Sequence, residues 1–479
     1  MRSVDDADDE GKLRRYLGAG SRTAAELMAD LKVSQPTLSR VVGRMNDSVL
    51  MFRIPGERTP RYGLLRPLPL GIAPRQRIYR VLRNGSFAPF AEASFLSGGA
   101  TLERQESGAV AYYEGLPPYM AFASPSGFLG RHLAHRASED LRFPSSLKDW
   151  ADEHRVAYLF TRGLNLPGNL VFGDICFQAE INLREVAPTP AAQKAEYFLQ
   201  VATELKDAAH GSSAGGEQPK FLALTEDAGH VIVKFARRGS RMGQLLPLEH
   251  LALRSLSEVG VPAAATQLLT AGDHVFLEVQ RFDRAGRTGR IGMLSAGVVD
   301  DEFFGLRDTW SQFVARCVNA RYLTPEDARR VDTVAAFSEL IGNTDRHFEN
   351  ISLLIDERGE YQGIAPAYDI LPMRYASIGG GVDPALTPVE PRVGTIGVQP
   401  SVWACAMEAA ERFWGAVQNE RLAIPIVAEM KELAARNLAV DRRFVAPLLP
   451  SGSAAAATPA VARRTRGRKA PGTSPAKNR

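Results

Sequence analysis

The first seventy residues show helical and strand-like patterns of apolar and polar positions in a recognisable order. Two short amphipathic helices are predicted in GKLRRYLGAG and TAAELMADL, with a turn and a cap at Ser21 or Thr23 between them. A third helix is predicted to begin near Ser34, since apolar residues recur at helical spacing after it. Two strand-like runs around a Gly/Pro turn follow in VLMFRIPGERTPRYGLL. Three helices and a hairpin predict a winged helix-turn-helix domain over residues 1–68.

The polar face of that third helix and the hairpin carry the candidate nucleic-acid contacts. From Lys12 to Arg66 the chain has eleven basic and four acidic residues, a surplus that attracts phosphate groups. We therefore predict that this domain binds duplex DNA. The candidate contact residues are Gln35, Thr37, Arg40, Arg44, Arg58 and Arg61. The alternative is a small helical domain whose polar face is only solvated.

The pattern is less informative in residues 69–200, which we predict to be a separate subdomain. AVAYYEGLP and GNLVFGDICFQAEI have the pattern of strands, and PAAQKAEYFLQVATELK has that of a helix, without any assignable chemistry. At the other end, residues 451–479 are poor in large apolar side chains, and from Arg463 onward they include seven basic residues and no acid. This composition predicts a disordered basic tail.

Composition narrows the class of protein. The chain has 479 residues, more than one hydrophobic core usually organises, and two or three domains are expected. Apolar residues make up 45% and charged residues 23%, and no run approaches the roughly 18 apolar residues that span a membrane. The three cysteines are odd in number and scattered, which predicts neither disulfides nor a metal cluster. We expect a cytoplasmic protein without a membrane partner.

Three stretches between residues 210 and 372 carry residue types suited to phosphate chemistry. The first is HGSSAGGEQPKFLAL, in which glycines allow close approach of backbone N–H groups to phosphate oxygens. It lacks the Walker P-loop pattern, since Pro219 and a strand surround its lysine. A flexible surface turn is the alternative. The candidate nucleotide-binding residues here are Ser213, Gly215, Gly216 and Lys220.

The second stretch, HVIVKFARR, places Lys234 inside a predicted strand. A strand lysine beneath a glycine-rich loop is how kinases neutralise nucleotide phosphates, although an alternating strand can also point its lysine into solvent. The following helix contains Glu249, which could orient Lys234. The next strand, VFLEVQRFDR, ends at a predicted hinge that includes Gln280 and Phe282 as further nucleotide contacts.

The third stretch is GNTDRHFENISLL. Asp345 and Asn350 have the spacing D-x-x-x-x-N of the protein-kinase catalytic loop, in which the Asp accepts the substrate hydroxyl proton and the Asn holds magnesium. Asp369 follows 19 residues after Asn350 and would be a second hard oxygen ligand for Mg²⁺. Asp345 could instead cap a helix begun by FEN, and His347 could be a hydrogen-bonded core residue. We expect His347 to hold the loop.

Taken in order, SSAGGEQPK, VIVKF, VQRFD, IGNTDRHFENISLL and AYDILP are similar to the motifs of the HipA-like Ser/Thr kinases, the toxins of bacterial toxin–antitoxin pairs. The resemblance implies an α+β, two-lobed protein-kinase-like fold, with an N-lobe over residues 201–290 and a mainly helical C-lobe over 291–450. ATP and Mg²⁺ are the implied cofactors, and a protein Ser/Thr is the implied phosphate acceptor. The implied roles are base for Asp345, metal ligands for Asn350 and Asp369, and phosphate lysine for Lys234.

Regulation is also implied by the resemblance. Ser213 matches the loop serine that these kinases autophosphorylate to switch themselves off, and Ser212 is its neighbouring competitor. A winged helix-turn-helix fused to the N-terminus resembles the HipH-type branch and leaves open whether a separate antitoxin exists.

We predict an ATP-dependent Ser/Thr kinase that regulates growth. Its rival is a DNA-binding transcriptional regulator whose kinase-like domain senses nucleotide with weak or no catalysis. A nuclease would require a two-metal carboxylate or histidine cluster, which the sequence does not suggest.

Overall fold

The computed structural model describes residues 4–208, 218–378, 381–422 and 424–450 and the pair 468–469. In these ranges the chain is a mixture of helix and sheet arranged as two compact units. The first unit contains residues 4–125 and 134–185, and the second contains 126–133 and 186–470 apart from the gaps. A search of the described helices found no segment that combines the length and apolar character needed to cross a membrane.

The first unit begins with the predicted three helices and hairpin. The helices are α1 (Val4–Gly18), α2 (Ala24–Leu31) and α3 (Gln35–Arg44), and the strands are β1 (Arg22–Thr23), β2 (Val49–Phe52) and β3 (Arg61–Leu64). The three strands form an antiparallel sheet in the order β1-β3-β2. Thr23 caps α2 by accepting a hydrogen bond from the Glu26 N–H, and the Glu26 side chain bonds back to the Thr23 N–H. This capping box explains why α2 begins where it does.

The rest of the first unit is built on a five-stranded antiparallel sheet. Its strands are β4 (Arg75–Val81), β5 (Phe87–Phe95), β6 (Thr101–Gln105), β7 (Val110–Tyr113) and β8 (Leu170–Phe172), in the order β7-β6-β5-β4-β8. The accompanying helices are α4 (Pro118–Ala123), α6 (Asp152–Arg162) and α7 (Gly173–Leu183), while α5 (Gly127–Leu141) spans the division between the two units.

One predicted strand in this region is wrong. The segment GNLVFGDICFQAEI has only three residues of strand, β8, and then continues as helix α7. Gly173 has a φ of 77°, which ends the extended conformation, and Cys176 and Glu180 are buried four residues apart, as on one face of a helix. Apolar residues alone did not distinguish these alternatives, because a short buried helix and a buried strand have similar composition.

The hairpin of β2 and β3 packs on both of its faces. One face contributes Val49 and Leu64 to the core of the three helices. The other packs Phe52 against Leu96 and Leu102 of the five-stranded sheet region. The hairpin is therefore a fixed part of the first unit, because either face would expose apolar surface if it were detached.

The second unit begins with a four-stranded antiparallel sheet. Its strands are β9 (Lys220–Thr225), β10 (Gly229–Arg237), β11 (Thr266–Ala271) and β12 (His274–Gln280), in the order β11-β12-β10-β9. Helix α8 (Lys194–Ala208) packs through Phe198 against Phe276 of β12, and α9 (Arg241–Glu258) packs through Leu246 against Val275 and Leu277. Since neighbouring strand residues point to opposite faces, the two helices cover opposite faces of the sheet.

A mainly helical region completes the second unit. Its helices are α10 (Ala296–Phe303), α11 (Trp310–Asn319), α12 (Pro325–Ile341), α13 (Pro400–Asn419) and α14 (Ala428–Val445). They enclose a large core that includes Phe337, Trp403, Phe413 and Trp414. The short strands are β13 (Arg284–Ala285) paired with β14 (Gly289–Arg290), and β15 (Gly292–Ser295), β16 (Ser352–Ile355), β17 (Glu360–Ile364) and β18 (Arg468–Lys469), joined in that order.

The strand β18 belongs to the tail that was predicted to be disordered. Arg468 and Lys469 pair with Tyr361 and Glu360 of β17. The remainder of the tail lies outside the described residues.

Candidate active site

The lysine of the second motif lies in a buried cluster of charges. The Lys234 Nζ atom is 2.6 Å from Glu249 Oε1 on α9 and 2.5 Å from Asp369 Oδ1. The side chains of Lys234 and Glu249 are 7% and 1% exposed, and that of Asp369 is 30% exposed. The alternative that Lys234 points into solvent is therefore wrong. The predicted orienting role of Glu249 agrees with this contact.

Burial and neighbouring charges have opposing effects on the pKa values of this cluster. Burial tends to lower the pKa of Lys234, but the carboxylates of Asp369 and Glu249 outweigh that effect and the pKa is raised overall. Burial tends to raise the pKa of Asp369, but the ammonium groups of Lys234 and Lys220 outweigh it and lower the pKa to about 2. Burial dominates for Glu249 and raises its pKa to about 7. The Lys234 ammonium and the Asp369 carboxylate are thus both ionised near neutral pH.

Lys220 approaches the same cluster from the neighbouring strand. It is paired with Lys234 in the register of β9 and β10. Its positive charge helps to lower the pKa of Asp369 and opposes the rise that burial causes in the pKa of Glu249. Two lysines on adjacent strands therefore provide positive charge beside the predicted phosphate-binding position.

Asp369 has an unusual backbone conformation. Its φ is 57°, in the left-handed region that few residues other than glycine adopt without cost. The segment before it is held on both sides, because the Ala367 N–H donates to the Pro262 carbonyl and the Ala264 N–H donates to the Ala367 carbonyl, each at 2.8 Å. These bonds anchor the chain two residues before the strained position.

The D-x-x-x-x-N motif forms a closed loop after α12. The Asn350 Nδ2 atom donates to the Asp345 carbonyl oxygen at 2.9 Å, and the Asp345 N–H donates to Asn343 Oδ1 at 3.1 Å. Asn350 is buried, whereas the Asp345 side chain is 43% exposed. Because the 3-10 helix Phe348–Asn350 is preceded by His347 at its N-cap position, Asp345 is not its cap. The Asp345 carboxylate is left accessible to a substrate.

Two aromatic side chains hold this loop through its main chain. The Trp310 Nε1 atom donates to the His347 carbonyl at 3.1 Å, and the Tyr368 hydroxyl donates to the Glu349 carbonyl at 2.7 Å. His347 was expected to hold the loop, but its carbonyl makes this contact, while its ring is 48% exposed and faces Asp345 and Glu349. The core-residue alternative for His347 is therefore wrong.

The predicted hinge residues have partners within the protein. The Gln280 N–H donates to the Ala265 carbonyl at 2.8 Å, and its Nε2 atom donates to the Ala228 carbonyl at 3.1 Å. The Phe282 ring centroid lies 5.4 Å from that of Tyr368, the residue before Asp369. The glycine-rich loop residues Ser212, Ser213, Gly215 and Gly216 lie outside the described residues.

The candidate DNA-binding residues lie at the surface of the first unit, and several of them already contact other side chains. Arg44 Nε is 2.9 Å from Glu10 Oε1, and Arg61 Nε is 2.9 Å from Glu57 Oε2. The exposed Arg40 donates to Thr37 Oγ1 at 3.2 Å. Gln35 and Arg58 are also exposed.

Sequence reasoning missed three residues of the site, namely Glu349, Arg307 and Tyr368. Glu349 and Tyr368 directly precede the predicted metal ligands Asn350 and Asp369, and this position in the sequence could have identified them. Arg307 lies about 40 residues from the catalytic loop in sequence, and no local pattern marks it. In the part of the chain that the structure describes, no group of three or more His, Cys, Asp or Glu side chains could hold a metal.

Comparisons with known proteins identify the family of this chain. A family model described as the HipA-like C-terminal domain matches residues 212–436, and one described as the YjjJ-like toxin, middle domain, matches residues 72–181. The chain is 33% identical over 422 residues to Toxin YjjJ of Escherichia coli (strain K12), which covers 85% of this chain and 93% of that protein. This chain belongs to the HipA-like toxin family.

Solved structures resemble this HipA-like chain at low identity. One is HipA of Shewanella oneidensis MR-1 in a complex with HipB and operator DNA, which is 16% identical, covers 77% of this chain and 97% of that chain, and has a TM-score of 0.47. Another is the Helicobacter pylori proinflammatory kinase CtkA, which is 12% identical, covers 48% of this chain and 92% of that chain, and has a TM-score of 0.35.

Proposed function

We propose that this HipA-like chain is an ATP- and Mg²⁺-dependent protein serine/threonine kinase that restrains growth and binds DNA through its N-terminal domain. The observation that carries the proposal is the contact of Lys234 with Glu249 and Asp369, close to the loop of Asp345, since Tyr368 next to Asp369 donates a hydrogen bond to the Glu349 carbonyl of that loop.

The buried cluster suits an anionic nucleotide. Lys234 and Lys220 offer positive charge where phosphates would bind, and exclusion of water strengthens that attraction. Phosphate oxygens would replace the Asp369 carboxylate on Lys234, while Glu249 would keep the ammonium in place. Gln280 and Phe282 are proposed to flank the base of the nucleotide.

The residues present also fit Mg²⁺. Asp369 is ionised at neutral pH, and the amide nitrogen of Asn350 is engaged by the Asp345 carbonyl, which leaves the Asn350 Oδ1 atom for a metal. A bound Mg²⁺ would neutralise charge on the phosphate oxygens. Asp345 would then orient the acceptor hydroxyl and remove its proton.

The decisive experiment follows labelled phosphate. The purified full chain is incubated with ATP labelled at the γ-phosphate and Mg²⁺, with and without cell extract, beside Asp345→Asn and an Arg442→Ala control. Arg442 forms an exposed ion pair with Glu411, far along the chain from the catalytic loop. We expect labelled protein with the wild type and the control only. Equal labelling with Asp345→Asn would refute the proposed base.

Self-inactivation is proposed at Ser213, with Ser212 as the competing site. A phosphate there would bring about −1.5 to −2 charges into the position meant for the nucleotide phosphates, so ATP should bind more weakly. Mass spectrometry after incubation with ATP should find the modification on one of these serines, and Ser213→Ala should stay active longer. Modification only in the tail, for example at Ser474, would contradict this.

DNA binding is proposed for the three helices and hairpin, read as a winged helix-turn-helix. Arg40 and Arg44 would face the major groove from α3, and Arg58 and Arg61 would reach backbone phosphates. Because the hairpin packs on the five-stranded sheet, the test uses the full chain. DNA binding, measured by mobility shift, should weaken steeply as the salt concentration rises. If no duplex is shifted at low salt, the basic face is only solvated surface. A separate antitoxin is a proposal that rests on family membership alone.

One observation favours the alternative function, a DNA-binding regulator that senses nucleotide with weak catalysis. Lys234 is already neutralised by two carboxylates, so the site as described is stable without any nucleotide. ATP binding without any transfer of label, together with DNA affinity that changes with ATP, would support this regulator over the kinase.

A further inference from the structure

A short loop before α11 is built to present one arginine. The buried Asp300 carboxylate accepts hydrogen bonds from the N–H groups of Leu306 and Arg307 and from the Arg316 Nη2 atom, each at 2.8 Å. Arg307 itself has a φ of 44°, a costly conformation for a residue with a side chain. The bonds to Asp300 fix the loop firmly enough to hold that conformation.

The Arg307 guanidinium joins two acids. Its Nε and Nη2 atoms contact the Asp301 carboxylate at 2.7 and 2.5 Å, and its Nη1 atom contacts Glu349 Oε1 at 2.6 Å. Forked contacts of this kind define an orientation as well as a distance. Arg307 therefore holds the Glu349 carboxylate in one position, next to the catalytic loop.

Gly297 in the first turn of α10 makes room for this pair. A Cβ atom at that position would lie 2.4 Å from Glu349 Oε1 and 2.7 Å from Arg307 Nη1, closer than atoms can pack. A side chain at this position would therefore force the Glu349 carboxylate and the Arg307 guanidinium to move from where they meet. Helices α10 and α11 thus both support the Arg307–Glu349 contact, through Gly297, Asp300 and Arg316.

The His347 ring lies between Glu349 and the proposed base. Its Nδ1 atom is 3.3 Å from Glu349 Oε2, and its Nε2 atom is 3.4 Å from Asp345 Oδ1. The charged groups that face the ring are Glu349, Asp345 and, more weakly, Asp369. The bond to Glu349 raises the pKa of His347, burial opposes it, and the charge of Asp345 raises it further. The ring thus bridges the two carboxylates through its two nitrogen atoms.

We infer that Arg307 and Glu349 are positioning residues that hold the His347 ring against Asp345 and so orient the base toward the acceptor hydroxyl. This inference rests on the proposed kinase function. Since small misplacements of a catalytic group are costly, loss of Arg307 should slow phosphoryl transfer although it never touches substrate.

Kinetics of matched variants test the positioning role. Arg307→Ala and Glu349→Gln should each lower kcat about tenfold with the KM for ATP changed less than about twofold, and Arg307→Lys should recover part of the loss. The double variant should be no slower than either single one, because both act through His347. Arg442→Ala serves as the control for loss of an exposed Arg–Glu pair. Normal kcat in Arg307→Ala, with Asp345→Asn inactive, would overturn the inference while the kinase proposal stands.

The NMR signals of the histidine rings at one fixed pH test the same contact without any kinase activity. The chain has eight histidines, and the ring signals of His347 are assigned by their loss in His347→Asn. We expect these signals to move in Glu349→Gln and in Arg307→Ala and to stay in place in Arg442→Ala. Unchanged His347 signals in the first two variants would overturn the inference. Moved signals in a chain that transfers no phosphate would support the contact and refute the kinase function.

Discussion

Two regions of this protein hold cations suited to phosphate groups, and they differ in burial. In the second unit, Lys234 and its partner Glu249 are 7% and 1% exposed, and its other partner Asp369 is 30% exposed. In the first unit, Arg44 and Arg61 pair with Glu10 and Glu57, and these side chains are 17% to 39% exposed. The ions in both regions lie 2.5 to 2.9 Å apart, and in the cluster around Lys234 burial and neighbouring charges shift the pKa values of all three groups.

The difference determines how readily each cation can change partner. Exposed pairs contribute about 0–1 kcal/mol, so a phosphate could replace the Glu57 carboxylate on Arg61 at little cost. A buried cation that loses all its partners leaves uncompensated charge, which costs far more. The buried Lys234–Glu249 pair therefore favours a fixed geometry, while the more exposed Asp369 and the surface pairs favour exchange.

Removing Lys234 should have the largest effect. Lys234→Ala leaves the Glu249 and Asp369 carboxylates without their ammonium partner, and we expect unfolding free energy to fall by about 3–5 kcal/mol. Urea unfolding measures this, with Arg44→Ala as the exposed counterpart, expected to lose less than about 1 kcal/mol. Equal losses in the two variants would remove the distinction between the regions.

Asp345→Asn should separate chemistry from stability. Its side chain is 43% exposed and makes no buried pair, so the unfolding free energy should stay within about 0.5 kcal/mol of the wild type. Phosphoryl transfer should fall about 100-fold or more, equivalent to about 2.7 kcal/mol, while ATP still binds. Single-turnover transfer and equilibrium ATP binding measure the two effects. A variant with near-normal transfer would contradict the assignment.

Asp441 sharpens the comparison because it is a buried carboxyl that accepts a hydrogen bond from a neutral group, the indole of Trp414. Its side chain is fully buried, and burial raises its pKa to about 8 against the opposing hydrogen bond from Trp414 Nε1. The folded state then binds more protons than the unfolded one, so stability is highest at low pH and falls as the pH rises from about 4 through 8.

We expect Asp441→Asn to remove this pH dependence. At pH 5 the variant and the wild type should be similarly stable, and at pH 9 the variant should be more stable by up to about 4 kcal/mol, because the wild type loses about 1.4 kcal/mol for each pH unit between 5 and 8. Thermal unfolding from pH 5 to pH 9 measures the difference. A constant difference across this range would show that the carboxyl does not titrate in the folded protein.

The smallest effect is expected at the DNA face. Arg61→Ala should weaken duplex binding by about 1 kcal/mol or less and reduce the salt slope by about one, because one proposed phosphate contact is lost. Binding measured at several salt concentrations gives both values, with Arg442→Ala as the matched control. If binding is lost altogether, Arg61 does more than contact one phosphate, and its pair with Glu57 is not simply exchanged.

Much of the site was predictable from local sequence. The order of a glycine-rich stretch, a strand lysine, a D-x-x-x-x-N loop and a later aspartate named Lys234, Asp345, Asn350 and Asp369 as candidates, because such chemistry requires those residue types at those spacings. The three N-terminal helices and the hairpin were also predictable, since amphipathic spacing and capping residues act within a few positions. The helix α7 was missed because the apolar residues at its start fit a strand as well as a helix.

What the sequence by itself determined is therefore the set of short-range elements and the reactive residues within motifs. Only the tertiary structure decided which distant charges meet: Lys234 with Asp369 across 135 residues, and Arg307 with Glu349 across 42. It also decided that the hairpin packs against a second sheet. The physical reason is that burial and electrostatic partners are set by packing between elements, which has no fixed spacing along the chain.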